Sequence, residues 1–265
     1  MGLKRALLRR KPTERERQLS VTKKALQSLL EAAIERFGGL PTNYATLDCE
    51  STGFRKKDDL IWDFSLRIVR DMKIVDRFDV VLDWTKHEMI EEGWLRKRIA
   101  DLKANMRANG RECHLTWELL QTGMTPEEGM ELMGKKLLQC KKERLPFVGH
   151  NIIRFDVPRI SSQLEEWIGL VFKFRRKEVI DTAAIEKGAG AEMEPKPGET
   201  FWDYSIRVLN RPIAGVKYTL STHCVEKYDL VKKFKIRTEQ LHRAGEDSDL
   251  VHYLMETYRE IIAPF

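Results

Sequence analysis

No stretch of this 265-residue chain is apolar for the roughly 18 residues that a membrane-crossing helix needs. No apolar h-region follows the basic start, so no secretory signal is expected. Ala6 stands where an N-myristoylation signal wants Ser or Thr, which excludes that anchor. No membrane partner is therefore expected. Cysteine is scarce: Cys49, Cys113, Cys140 and Cys224 are scattered, and none forms a CxxC pair. That argues against a zinc site and points to reduced thiols in a cytoplasmic protein. Internal repeats and low-complexity tracts are missing too.

What is present begins with charge. The net charge of +6 suggests nucleic acid, but it is unevenly placed. Residues 1–40 hold ten Lys or Arg and four acids; of the totals of 47 and 41, that leaves 37 of each sign for residues 41–265. The excess marks a basic N-terminal extension, which could touch nucleic acid or an acidic partner or simply be solvated. The body is neutral. The expected division is a basic extension over 1–40 that includes a helix, then one domain over 41–265.

Apolar spacing predicts the elements. Leu26, Leu29, Leu30, Ala33 and Phe37 give a helix from Ser20 to Phe37, stopped by Gly38-Gly39. An apolar run ends at Asp48 as a first strand. Trp62, Phe64, Leu66 and Ile68 alternate as a second, and Ile74 to Leu82 returns from a turn at Asp71-Met72-Lys73 as a third. A helix is expected over 86–108, with Leu95, Ile99, Leu102 and Met106 as its stripe. Another starts at Thr125-Pro126 and runs to about Lys142, with Glu128 completing a capping box. "LPFVGH" reads as a buried strand, followed by a helix from Val157 to Trp167 and a strand near Glu178–Asp181. Residues 188–215, rich in Gly and Pro, read as a long loop. Helices over Leu220–Lys227 and from Glu246 close the chain. The order implies an α/β fold, a mixed sheet with helices on its faces.

Chemistry gathers in three stretches. In "LDCESTG", Asp48 and Glu50 are two residues apart, so on a strand they share a face. Their repulsion would be relieved by a hard divalent cation held by oxygen. Alone, such a pair is common in loops. In "GHNIIRFD", Asp156 lies at a strand-to-helix junction, where α/β sheets place ligands, though it could equally be a helix cap. In "HRAGED", His242 precedes Asp247 by five residues at the start of the last helix.

Together these stretches resemble the DEDD family of 3′–5′ exonucleases in its histidine-containing branch, whose members include the proofreading epsilon subunit of bacterial DNA polymerase III. "EVIDTAAI" and "YTLSTHCVEKYDL" are similar to the family's connecting strand and helix. The resemblance spans about residues 43–262. Arg243 stands where the tyrosine variant of the last motif would have Tyr. Three residues separate Asn151 from Phe155, against two in the epsilon subunit; other members share the longer spacing. Segments 85–120 and 188–216 look longer than in minimal members.

The resemblance implies a ribonuclease-H-like fold over the 41–265 exonuclease domain. It implies two divalent ions, Mg²⁺ or Mn²⁺, held by Asp48, Glu50, Asp156 and Asp247, with His242 as general base. Ser51, Thr52 and Gly53 would lie against the terminal nucleotide, and His150 and Asn151 would brace the site, with Asn151 also reaching substrate. The implied partner is a nucleic-acid 3′ end, DNA ahead of RNA, with a DNA polymerase as a further partner in replication, proofreading or repair. Two alternatives stand beside this: an exoribonuclease that trims RNA, and a catalytically silent adaptor. Arg154, the cluster Lys173, Arg175, Arg176 and Lys177, and the cluster Lys232, Lys233, Lys235 and Arg237 could meet phosphates or be solvated. Trp202 and Tyr204 could stack on bases, or instead lie in the core or anchor a loop.

Overall fold

The computed structural model describes residues 39–53, 59–236 and 243–262, with Lys24, Gln27, Ser28 and Glu31. Those four positions are helical. The rest of the helix expected over Ser20–Phe37 lies outside the described residues, as does His242.

Five strands form one mixed sheet: β1 (Tyr44–Ser51), β2 (Ile61–Arg70), β3 (Lys73–Val81), β4 (Phe147–Gly149) and β5 (Val179–Asp181). Their order is β3-β2-β1-β4-β5. The β1/β2 and β2/β3 pairs are antiparallel, and the β1/β4 and β4/β5 pairs are parallel. The expected hairpin joins β2 to β3. Asp71 and Met72 both take positive φ (46° and 63°), as a two-residue type I′ turn demands. β3 is one of the two edge strands; its exposed alternate positions and its charges, Asp76, Arg77 and Asp79, discourage further pairing.

Helices cover both faces: α1 (Glu92–Ala108), α2 (Trp117–Gln121), α3 (Pro126–Lys142), α4 (Asp156–Ile168), α5 (Thr182–Gly190), α6 (Phe201–Asn210), α7 (Val225–Tyr228), α8 (Leu230–Phe234) and α9 (Ala244–Ile262). The pleat of β1 divides the core. Ala45, Leu47 and Cys49 face one apolar cluster with Leu95 and Leu102 of α1, Met133 of α3 and Ile160 of α4. Tyr44 faces the other, with Leu250, Val251, Leu254 and Tyr258 of α9. By the same alternation Asp48 and Glu50 point toward the side that α9 covers.

The expected elements recur with four corrections. First, the stretch 188–215 is not a continuous loop. It contains α6, whose Thr200 caps the helix by accepting from Asp203 N at 3.2 Å and whose Tyr204, Val208 and Leu209 are buried. The flanking Gly and Pro residues hide that pattern. Second, the 86–108 helix begins only at Glu92, after a short 3₁₀ turn at Trp84–Lys86. Third, Thr125 and Glu128 meet side chain to side chain at 2.8 Å rather than through the backbone bonds of a capping box. Fourth, the 220–227 helix opens as a π turn, Leu220–Cys224, before α7. No helix among the described residues is long and apolar enough to cross a membrane, and all four cysteines are free.

Candidate active site

The site is built at the end of β1. Asp48 and Glu50 come from its pleat. Asp247 comes from the first turn of α9, which packs on β1 and β2. One carboxylate oxygen from each of the three lies within 4.8 Å of the others. Asp156 joins from the start of α4. Its Oδ1 accepts the backbone N–H of Cys49, the residue between Asp48 and Glu50, at 2.8 Å. That bond ties the helix to the strand and sets the fourth acid beside the pair. All four acids line one cleft of about 370 Å³.

Electrostatics inside this cluster are unfavourable as it stands. Burial raises Asp48 and Glu50 well above the usual carboxylate range, and the neighbouring acids push them further, Asp156 most for Asp48 and Asp247 most for Glu50. Burial lifts Asp156 to about 7, although the bond from Cys49 works the other way. Asp48 Oδ2 is buried with no hydrogen-bond partner among the described residues. Buried carboxylate oxygens normally find donors, because an unpaired one costs its desolvation. An all-oxygen, mutually repelling donor set with one orphaned oxygen fits a hard divalent cation.

A supporting layer holds α9 in place. Asp63 on β2 lies opposite Glu50 in the sheet register. It pairs with Arg243 at 2.6 Å and accepts Ala244 N at 3.3 Å. Asp249, which in sequence looks like surplus acidity, accepts Arg67 at 2.7 Å and Arg77 at 2.6 Å. These pairs bracket Asp247 on both sides. The sequence reading missed Asp63. Its local signal is an acid between Trp62 and Phe64 in a strand whose other charges are basic.

Asp181 is the second residue missed. It ends β5, caps α5 through Ala183 N and Ala184 N, and also accepts Asn151 N and Ile153 N. It thereby fixes the turn that leads to Asp156. Asp-Thr at a strand end in "EVIDTAAI" was the available clue. Asn151 lines the cleft in a left-handed backbone conformation, φ 64°. His150 is clamped: Nε2 donates to the Tyr218 carbonyl at 2.6 Å, leaving Nδ1 facing the Thr182 hydroxyl at 3.0 Å. Burial lowers its pKa to about 4, so it stays neutral and braces the wall.

Ser51 and Gly53 line the cleft, but Thr52 is not among the lining residues. Thr52 is buried, and its Oγ1 accepts Leu60 N at 3.0 Å, so the hydroxyl holds the turn. Gly53 leaves no room for a side chain: a Cβ there would fall 2.5 Å from Arg98 and 2.7 Å from Asp59, which form an ion pair. The second cleft wall comes from Leu102, Met106 and Arg111–His114, the third from Tyr218–Ser221 around the π turn.

The remaining basic and aromatic candidates lie elsewhere. Arg154 donates to the Leu209 carbonyl at 3.2 Å. Arg175 pairs with Glu178 and Lys233 with Glu260. Arg176, Lys177 and Trp202 line a separate cavity of about 960 Å³ at the start of β5. Tyr204 is core, its hydroxyl bonded to the Met193 carbonyl at 3.0 Å. Arg237, like His242, lies outside the described residues.

The strand order and the helices on both faces define a ribonuclease-H-like α/β fold, with an acidic cluster at the end of its first strand. No family model matches the chain, and no curated protein matches its sequence. Among solved structures it is similar to E. coli Exonuclease I in complex with a dA16 oligonucleotide, with a TM-score of 0.51 at 12% identity. The match covers 84% of this chain and 42% of that one, so the chain spans less than half the length of that protein. At this identity the likeness bears on fold.

Proposed function

We propose that the chain is a metal-dependent 3′–5′ exonuclease that shortens single-stranded DNA to nucleoside 5′-monophosphates. The observation that carries this reading is the convergence of Asp48, Glu50 and Asp247 within 4.8 Å, with a buried Asp48 oxygen left unpartnered. The fold it shares with Exonuclease I, which was solved with an oligonucleotide, supports the same reading.

In this reading Asp48, Glu50, Asp156 and Asp247 hold two divalent ions, Mg²⁺ or Mn²⁺. When bound, such ions stabilise the attacking and leaving oxygens of an in-line phosphoryl displacement. His242 accepts the proton of the attacking water; its unperturbed pKa of about 6.5 suits that task. His150 cannot substitute, because both its nitrogens are engaged and it is held neutral. Ser51, Gly53 and Asn151 lie along the terminal nucleotide, and Thr52 shapes the turn that presents them. The enzyme works in the cytoplasm on DNA 3′ ends, in proofreading or repair, alone or beside a polymerase.

The test is a time course with 5′-labelled single strands of DNA and RNA, in Mg²⁺ or EDTA. Expected is a ladder of single-nucleotide steps from the 3′ end, faster on DNA and abolished by EDTA. Cuts in a circular single strand would make it an endonuclease. Faster loss of RNA would move the substrate to the exoribonuclease reading, and no hydrolysis of either would favour the silent adaptor.

A further inference from the structure

The wall of the cleft formed by α1 and the turn after it carries a charge the acidic floor does not use. α1 is anchored at two places: Arg98 pairs with buried Asp59 beside Gly53, and the Arg96 guanidinium lies 3.8 Å over the Trp117 ring. The helix ends in a tight turn. Gly110 takes φ 67°, and Arg111 N donates to the Met106 carbonyl at 2.9 Å. This turn delivers Arg111 to the lining of the cleft that holds Asp48, Glu50, Asp156 and Asp247.

Arg111 is the only Lys or Arg among the described residues that line that cleft. Among the described residues, no ion pair or hydrogen bond engages its guanidinium. Four carboxylates balance two divalent ions, so the charge of a bound phosphodiester is left for a protein cation to answer. A guanidinium suits a phosphate, which it can meet through two parallel N–H donors.

Resting on the nuclease reading above, we infer that Arg111 binds a phosphodiester of the substrate strand and thereby sets affinity without base preference. The contact is made in the ground state and kept through the reaction, so its loss weakens binding rather than chemistry. Because phosphates are common to both nucleic acids, its effect is equal on DNA and RNA strands.

The full chain and its Arg111→Gln and Arg111→Lys variants test this in two ways. Steady-state hydrolysis of a short single-stranded DNA in Mg²⁺ should show KM raised roughly tenfold by Arg111→Gln with kcat within twofold, as expected for one lost charge-assisted bond. Binding of a fluorescein-labelled single strand in EDTA, followed by anisotropy over a salt series, should show log affinity against log salt flatter by about 0.7. Arg111→Lys should restore the slope. An unchanged KM and slope, or a lower kcat at constant KM, overturns the inference while leaving the nuclease reading standing. A wild-type chain that neither hydrolyses nor binds single strands overturns both.

Discussion

Two groups of buried acids in this molecule are treated in opposite ways. Glu186, on α5, is fully satisfied: it accepts Lys227 at 2.7 Å, Tyr228 at 2.9 Å and Tyr258 at 2.8 Å. Asp181 likewise accepts four backbone N–H groups. Those acids hold helices together. Asp48, by contrast, keeps a buried oxygen without a donor among the described residues, and the charges that act on it most are other acids. Glu186 and Asp181 are held by donors on every side, whereas Asp48 is crowded by other acids. Counting acids along the sequence does not separate the two kinds.

The largest expected effect sharpens that contrast. Asp48→Asn, Glu50→Gln or Asp247→Asn should each lower turnover by several orders of magnitude, since on the proposed reading each removes a metal ligand. The metal-free melting temperature should hold or rise, because like charges leave a crowded site. Near wild-type activity in two of the three would break the site assignment.

His242→Ala should cost roughly 10²–10⁴-fold in single-turnover rate. It should also remove the acid limb of the pH–rate profile between pH 5.5 and 9, measured at saturating Mg²⁺. A variant with the wild-type rate and limb would take His242 out of the mechanism.

Glu186→Ala should do the reverse of the site variants. It strands Lys227 in the core and should destabilise by about 3–5 kcal/mol. For a chain of this size that lowers the melting temperature by roughly 10 °C, read by calorimetry. A melting temperature within 2 °C of wild type would show that the two groups of acids do not differ.

The smallest effect is on pH. Asp156 titrates near 7 in the folded chain and near 3.9 when unfolded, so its stabilising contribution is lost as pH rises through 7. Asp48 and Glu50, also raised, lose theirs in the same direction. His150 and His252, lowered to about 4, act oppositely but only below about 6.5. Between pH 6.5 and 8 the metal-free melting temperature should therefore fall, and Mg²⁺ should cancel the fall. A flat metal-free profile would mean that the cluster does not repel itself.

Much of this was legible in the sequence, for local reasons. A strand's pleat repeats every two residues, so an acid at 48 and another at 50 share a face wherever the strand lies. Alternation in Trp62–Ile68 and the turn at Asp71-Met72 define the hairpin by the same local geometry. Thr200 and the apolar positions of α6 were present too, but the surrounding Gly and Pro residues masked them. Other features belong to the tertiary structure alone. Asp156 reaches Cys49 across 107 residues because β4 pairs beside β1 and delivers the start of α4 to its end. Asp247 reaches Asp48 because burial of Leu250, Val251, Leu254 and Tyr258 seats α9 on the sheet, with Asp63 and Asp249 pairing across it. Whether an acid finds a donor or another acid depends on what chain-distant elements bring to it. Sequence spacing carries the periodicity of one element, and only the packing of the core decides which elements meet.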